Sequence, residues 1–105
     1  MAAPIVTQHP DADKPRFEAH VDGRLAGYAE YLVAGVRVVF THTEVDPAFE
    51  GQGVGGALAR AALDWVRTTG ELEAVPVCPF VAGWIHRHPD YADLVTPALR
   101  PQFQR

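Results

Sequence analysis

Cysteine is nearly missing from this chain: Cys78 stands alone, so no intramolecular disulfide can form and a reducing compartment is the natural setting. Excess positive charge is missing as well. Nine Lys and Arg face thirteen Asp and Glu, a formal net charge of -4 with His neutral. Nucleic-acid binders usually carry a basic face, so that class is disfavoured, whereas an amine or a basic peptide suits the balance. No apolar run approaches the roughly 20 residues of a membrane helix. Met1 to Lys14 lack the basic-plus-apolar pattern of a secretory signal. The expectation is a cytoplasmic protein with neither membrane nor nucleic acid as partner. Internal repeats are also lacking. The 105 residues suit one domain, expected as a monomer or weak homodimer whose stability gains from a bound ligand.

What is present reads as alternating strands and turns, then helix. Residues 1–15 carry Pro4, Pro10, Asp11 and Asp13 without periodicity and are expected to be a flexible lead-in. Arg16 to Val21 alternates polar and apolar residues with the period of a half-buried strand. Asp22-Gly23 is a strong hairpin signal. A second strand is expected from Arg24 to Val33, with Leu25, Gly27, Ala29 and Tyr31 on one face. After the Ala34-Gly35 turn, Val36 to Val45 reads as a third, and the three form an antiparallel meander.

Asp46-Pro47 ends that run. Gly51-Gln52-Gly53-Val54-Gly55-Gly56 then opens a helix of about 14 residues whose apolar positions Val54, Leu58, Ala61 and Trp65 keep helical spacing. Arg60 and Asp64 are four apart on its outer side, and Gly70 is the expected stop. Glu73 to Cys78 is a short strand, reached by a crossover long enough for parallel pairing with the third. Phe80 to His88 reads as a short helix, with Phe80 and Trp84 spaced to seal it onto the sheet. Residues 16–95 thus form an α/β (α+β) domain of order β-β-β-α-β-α, a mixed, mostly antiparallel sheet with helices on its faces. Residues 96–105, with Pro97 and Pro101, are an irregular tail.

The glycine segment carries the chemistry. The first turn of a helix leaves N–H groups without partners and is the positive end of the helix dipole. Removing side chains there lets a phosphate approach closely. Gly51, Gly53 and Gly56 also satisfy a dinucleotide-fingerprint spacing, but the acidic residue required at the end of the next strand is replaced by Cys78. A Walker loop is excluded because no Gly-Lys-Ser/Thr follows. The bland alternative is a tight turn with close helix packing.

His42-Thr43-Glu44-Val45-Asp46-Pro47, followed by Glu50 to Leu58, resembles the acetyl-CoA motif of GNAT acetyltransferases. Pro76-Val77-Cys78-Pro79 and His88-Pro89-Asp90-Tyr91 are similar to segments of the small, core-only members. Two departures stand out. Glu50 replaces the usual Gln or Arg, and the tyrosine acid of larger members would fall near Ile85 or His86. The helices that cover the acceptor in larger members are also absent. The resemblance implies that acetyl-CoA (coenzyme A as co-substrate, no metal) binds through Gly51, Gln52, Gly53, Val54, Gly55 and Gly56. Its pantetheine arm would pair with main chain near Thr43 and Val45, entering a gap where the third and fourth strands part.

Acetyl transfer to an amine needs a proton acceptor, a carbonyl donor and a route for the departing thiolate. Cys78, at a helix start that biases a thiol toward thiolate, is a candidate nucleophile or leaving-group acid. Equally, it is a small buried hydrophobe. His42 and Glu44, two apart on a strand, should share a side and serve as base or water relay, unless a bulge alters the assignment. Trp84 and Tyr91 read as packing anchors. No zinc site is expected, since His86 and His88 diverge and Cys78 is single. Three functions follow: an N-acetyltransferase acting on a small or protein amine, a CoA-binding module with little or no catalysis, and a plain interaction domain.

Overall fold

Five strands lie side by side in chain order in the computed structural model, which describes residues 3–104. Met1, Ala2 and Arg105, the outermost residues of the expected lead-in and tail, lie outside the described residues. Strands β1 (Ile5–His9), β2 (Arg16–Val21), β3 (Arg24–Ala34) and β4 (Arg37–Val45) form an antiparallel meander. Helix α1 (Val54–Thr69) then crosses over, and β5 (Glu73–Pro76) joins β4 in parallel. Helix α2 (Pro79–Arg87) follows, and single 3-10 turns occupy Pro47–Phe49, Pro89–Leu94 and Arg100–Gln102. The expected order is present in this mixed, mostly antiparallel sheet, with one strand added in front.

Both helices pack on one face of the sheet, rather than on both faces as expected. Phe17, Ala19, Ala29, Val38 and Phe40 meet Leu58, Leu63, Val66, Val81 and Ile85 in a single core. A right-handed crossover places α1 on that face, and α2 then packs against the first turn of α1. Phe80 sits over Gly55, and Trp84 lies beside Gly56. Phe80 therefore seals α2 to α1 rather than to the sheet. Among the described residues, the opposite face of the sheet carries no helix.

Four local expectations change for identifiable reasons. The lead-in contains β1, an edge strand that pairs with β2 and sends Gln8 Nε2 to the Tyr31 hydroxyl at 2.9 Å. Its partner lies further along the chain, so its own composition does not announce it. Leu25 leaves the buried face and is 44% exposed, because Ala26 is an extra residue between the Ala19–Gly27 and His20–Leu25 pairs. Such a bulge reverses the alternation. The buried stripe of α1 runs through Leu58, Ala59, Ala62, Leu63 and Val66, while Ala61 and Trp65 lie at its margin. Trp65 there joins Phe17 and Tyr31, with ring centroids 5.8 and 5.3 Å away. In the tail, Phe103 is buried and stacks on His86.

Tyr91 ties the chain after α2 back onto α1. Its hydroxyl donates to Asp64 Oδ1 at 2.8 Å and accepts from Arg60 at 3.2 Å, so the expected Arg60–Asp64 pair is bridged by a tyrosine. Donation to the Asp64 carboxylate, aided by burial, raises the Tyr91 pKa. The neutral phenol is thus favoured by folding. Its contribution is complete below the ordinary tyrosine value of about 10 and is lost as pH rises through the higher folded value.

Two tests follow from this packing. A Cβ on Gly27 would stand 2.7 Å from the Glu44 carbonyl oxygen and 3.3 Å from Val45 Cα, both main chain. Gly27→Ala should therefore cost about 2 kcal/mol or more in denaturant unfolding; an unchanged midpoint would refute this tight contact. Tyr91→Phe should cost about 1 kcal/mol at neutral pH. Above pH ~10 the wild type should lose stability faster than the variant, and parallel pH profiles would contradict the assigned role.

Candidate active site

The end of β5 opens the site. β4 and β5 pair from Arg37–Glu73 to Phe40–Pro76 and no further. Glu73 N–H donates to the Val36 carbonyl, so the main chain of alternate residues Glu73, Val75 and Val77 faces β4 while that of Pro76 faces away from it. The chain then turns, Val77 N–H donating to the Val75 carbonyl, and a last bond runs from Cys78 N–H to the Phe40 carbonyl at 2.8 Å. Pro79 starts α2, where a missing N–H costs nothing. β4 continues to Val45 with β3 on one side and no strand on the other. The stretch Thr41–Val45 therefore has a free edge, the expected parting of strands.

A bulge decides which side chains face which way. Thr41 is the extra residue between the Glu30–His42 and Tyr31–Phe40 pairs, and its hydroxyl donates to the Glu30 carbonyl at 3.3 Å. Beyond it the alternation reverses. Thr43 and Val45 turn to the helix-covered face, and His42 and Glu44 to the bare face. The Cys78 thiol donates to Thr43 Oγ1 at 3.4 Å across the mouth of the gap. Cys78 is only 4% exposed.

His42 and Glu44 do share a side, with Nε2 and Oε2 3.8 Å apart. Sequence reasoning missed their third member. Tyr28, opposite Glu44 in the β3–β4 register, donates its hydroxyl to Glu44 Oε2 at 2.7 Å. That bond chiefly, with some desolvation and the Glu44 and Glu30 charges, raises the Tyr28 pKa, while nearby Arg16 opposes it. The phenol is thus held as a donor. Its only sequence signal was a place on the polar side of a predicted strand. The structure does not bring Cys78 into contact with this trio, because β4 lies between them. The positions near which a tyrosine acid would fall are occupied by Ile85, fully buried, and His86, stacked on Phe103.

The glycine segment has two divisions of labour. Gly51 and Gly53 have φ of 80° and 76°, the left-handed region, with open space where a Cβ would lie. A Cβ on Gly55 would meet Phe80 Cζ at 2.5 Å, so that glycine serves helix packing. Gly53 is the N-cap of α1 and offers no side-chain cap. The first α1 bond in which its carbonyl accepts comes from Ala57 N–H. Among the described residues, no acceptor reaches the N–H groups of Val54, Gly55 or Gly56. They face a recess of about 340 Å³ bounded by Val45, Phe49, Gly51, Gly53 and Phe80. A second recess, of about 360 Å³, lies beside Tyr28 and Glu44 and shares Val45. Among the described residues, no group of three or more His, Cys, Asp or Glu could hold a metal ion. No described helix is long and apolar enough to cross a membrane.

Comparison with known proteins agrees with this arrangement. Residues 16–94 match the family described as GCN5-related N-acetyl-transferase. Protein NATD1 of Mus musculus is 33% identical over 90 residues, covering 82% of this chain and 78% of that protein, and Protein NATD1 of Gallus gallus matches to the same extent. In fold, the chain resembles the crystal structure of nourseothricin acetyltransferase, with a TM-score of 0.50, 23% identity, and coverage of 87% of this chain and 69% of that one. The chain belongs to the GCN5-related N-acetyltransferase family of acyltransferases.

Proposed function

We propose that this protein transfers an acetyl group from acetyl-CoA to a primary amine, carried by a small molecule or by a protein. The observation that carries the reading is the continuity of two sets of main-chain groups. The free edge of β4 at Thr41–Val45 leads into the uncapped first turn of α1. An amide-rich arm pairs with the former as an added strand would, and a diphosphate suits the latter. Gln52 lies in the loop between the two left-handed glycines and belongs to the same seat.

Two faces supply the two reactants. On the helix-covered face, Thr43 and Cys78 border the gap in which the thioester would sit. On the bare face, His42 and Glu44 offer proton acceptors to an amine arriving beside Tyr28. In direct transfer the amine nitrogen bonds to the carbonyl carbon and the carbon–sulfur bond breaks. The amine proton passes to His42 or, through water, to Glu44, and the Cys78 thiol can return a proton to the departing thiolate. In the covalent alternative Cys78 itself carries the acetyl group before the amine takes it. The acidic balance of the chain favours a cationic acceptor.

A second reading has its own support: the chain binds CoA with little catalysis. The thiol and the His42–Glu44 pair lie on opposite sides of β4, and neither Ile85 nor His86 offers a phenol.

Thermal melting with CoA tests the shared premise. Saturation near 100 times the dissociation constant should add about 2.7 kcal/mol, a shift of several degrees, and no shift at millimolar CoA would remove both readings. Gly53→Asp should fold at a modest cost in stability, since Asp is among the few residues that enter the left-handed region and nothing occupies the space of its Cβ. Its carboxylate would occupy the anion seat, so CoA affinity should collapse; wild-type affinity would refute the seat. Labelled acetyl-CoA with an amine then separates transferase from binding module by turnover. Acetyl label retained on the protein and lost in Cys78→Ala would establish the covalent route, whereas undiminished turnover in that variant would eliminate it.

A further inference from the structure

The diphosphate seat described above consists of main-chain donors, yet one side chain beside Gly56 also has a donor to offer. Trp84 is 4% exposed. Its carbonyl oxygen is engaged by His88 Nδ1 at 2.8 Å. Among the described residues its indole Nε1 has no hydrogen-bond partner, and it is not sealed from solvent. A nearly buried side chain thus keeps one donor within reach of solvent and without a protein partner.

The ring is held so that this edge cannot turn away. His88 stacks on it with centroids 3.9 Å apart and an interplanar angle of 14°. The Arg60 guanidinium lies over it at 5.3 Å, and Tyr91 meets it edge-on at 4.9 Å. The edge it presents lies at Gly56, where an added Cβ would stand 3.7 Å from Nε1. Gly56 belongs to the first turn of α1, beside the recess onto which the uncapped N–H groups open. An indole nitrogen only donates, so it complements an anion and has nothing to repel it.

We infer that the Trp84 indole N–H donates to a diphosphate oxygen of the coenzyme seated on the first turn of α1, and that Gly56 lacks a side chain so that this donor stays uncovered. The His88-Pro89-Asp90-Tyr91 segment then has a purpose beyond packing, since His88 and Tyr91 fix the donor's orientation. This inference rests on the CoA reading and adds a side-chain determinant to it.

The test compares CoA, dephospho-CoA, which keeps the diphosphate, and S-acetylpantetheine, which lacks it. Trp84→Phe keeps an aromatic ring and removes only the donor-bearing edge. It should weaken CoA and dephospho-CoA alike by about ten-fold or more, the scale of a hydrogen bond to a charged group, and leave S-acetylpantetheine unchanged. Gly56→Ala should not lower the melting temperature, because alanine favours helix. It should nevertheless weaken CoA, and the double variant should bind no worse than Trp84→Phe alone. Unchanged CoA affinity in Trp84→Phe, or an equal loss for S-acetylpantetheine, overturns the inference while leaving the CoA reading intact. If Trp84→Phe does not fold, unchanged CoA affinity in Gly56→Ala overturns it. Failure of the wild type to bind CoA at all would instead bring down the reading beneath it.

Discussion

The early end of β5 at Pro76 is the constraint on which the rest of this molecule depends. Val77, the next residue due to donate to β4, instead turns its N–H back to the Val75 carbonyl. β4 runs on for five residues, Thr41 to Val45, without a neighbour on that side. In an ordinary sheet such an edge invites aggregation. Here it is short, sheltered by α2 and the turn after β4, and leads directly to the uncapped start of α1. The unpaired backbone is therefore a resource, a row of donors and acceptors that a ligand's own amides can complete.

The bulge at Thr41 gives that edge two chemical sides. One extra residue shifts Thr43 toward Cys78 and leaves His42 and Glu44 on the bare face with Tyr28. The two sets of side chains are thereby held on opposite sides of a single strand. The link from β1 to β2 is a short turn, so the bare face of the sheet lies open.

Small size makes each element serve twice. Gly55 lets Phe80 press onto α1, Trp84 fills the seam beside Gly56, and Tyr91 holds Arg60 and Asp64 together. The same contacts that fasten α2 to α1 also shape the wall of the recess at the helix start.

Much of this was legible in the chain itself, and the limit of legibility has a physical cause. Local chemistry announced the Asp22-Gly23 hairpin, the Gly70 helix stop, the parallel return of β5 and the two-residue spacing of His42 and Glu44. Each follows from one residue's backbone preference or from a short period. The sequence by itself thus determined the order of elements from Arg16 onward and the family. Tertiary structure alone decided the pairing of β1, the bulges at Ala26 and Thr41, the Tyr28–Glu44 bond and the orientation of Trp84 toward Gly56. These depend on strand register and on contacts between residues distant in the chain, and a register shift of one residue turns a side chain to the other face.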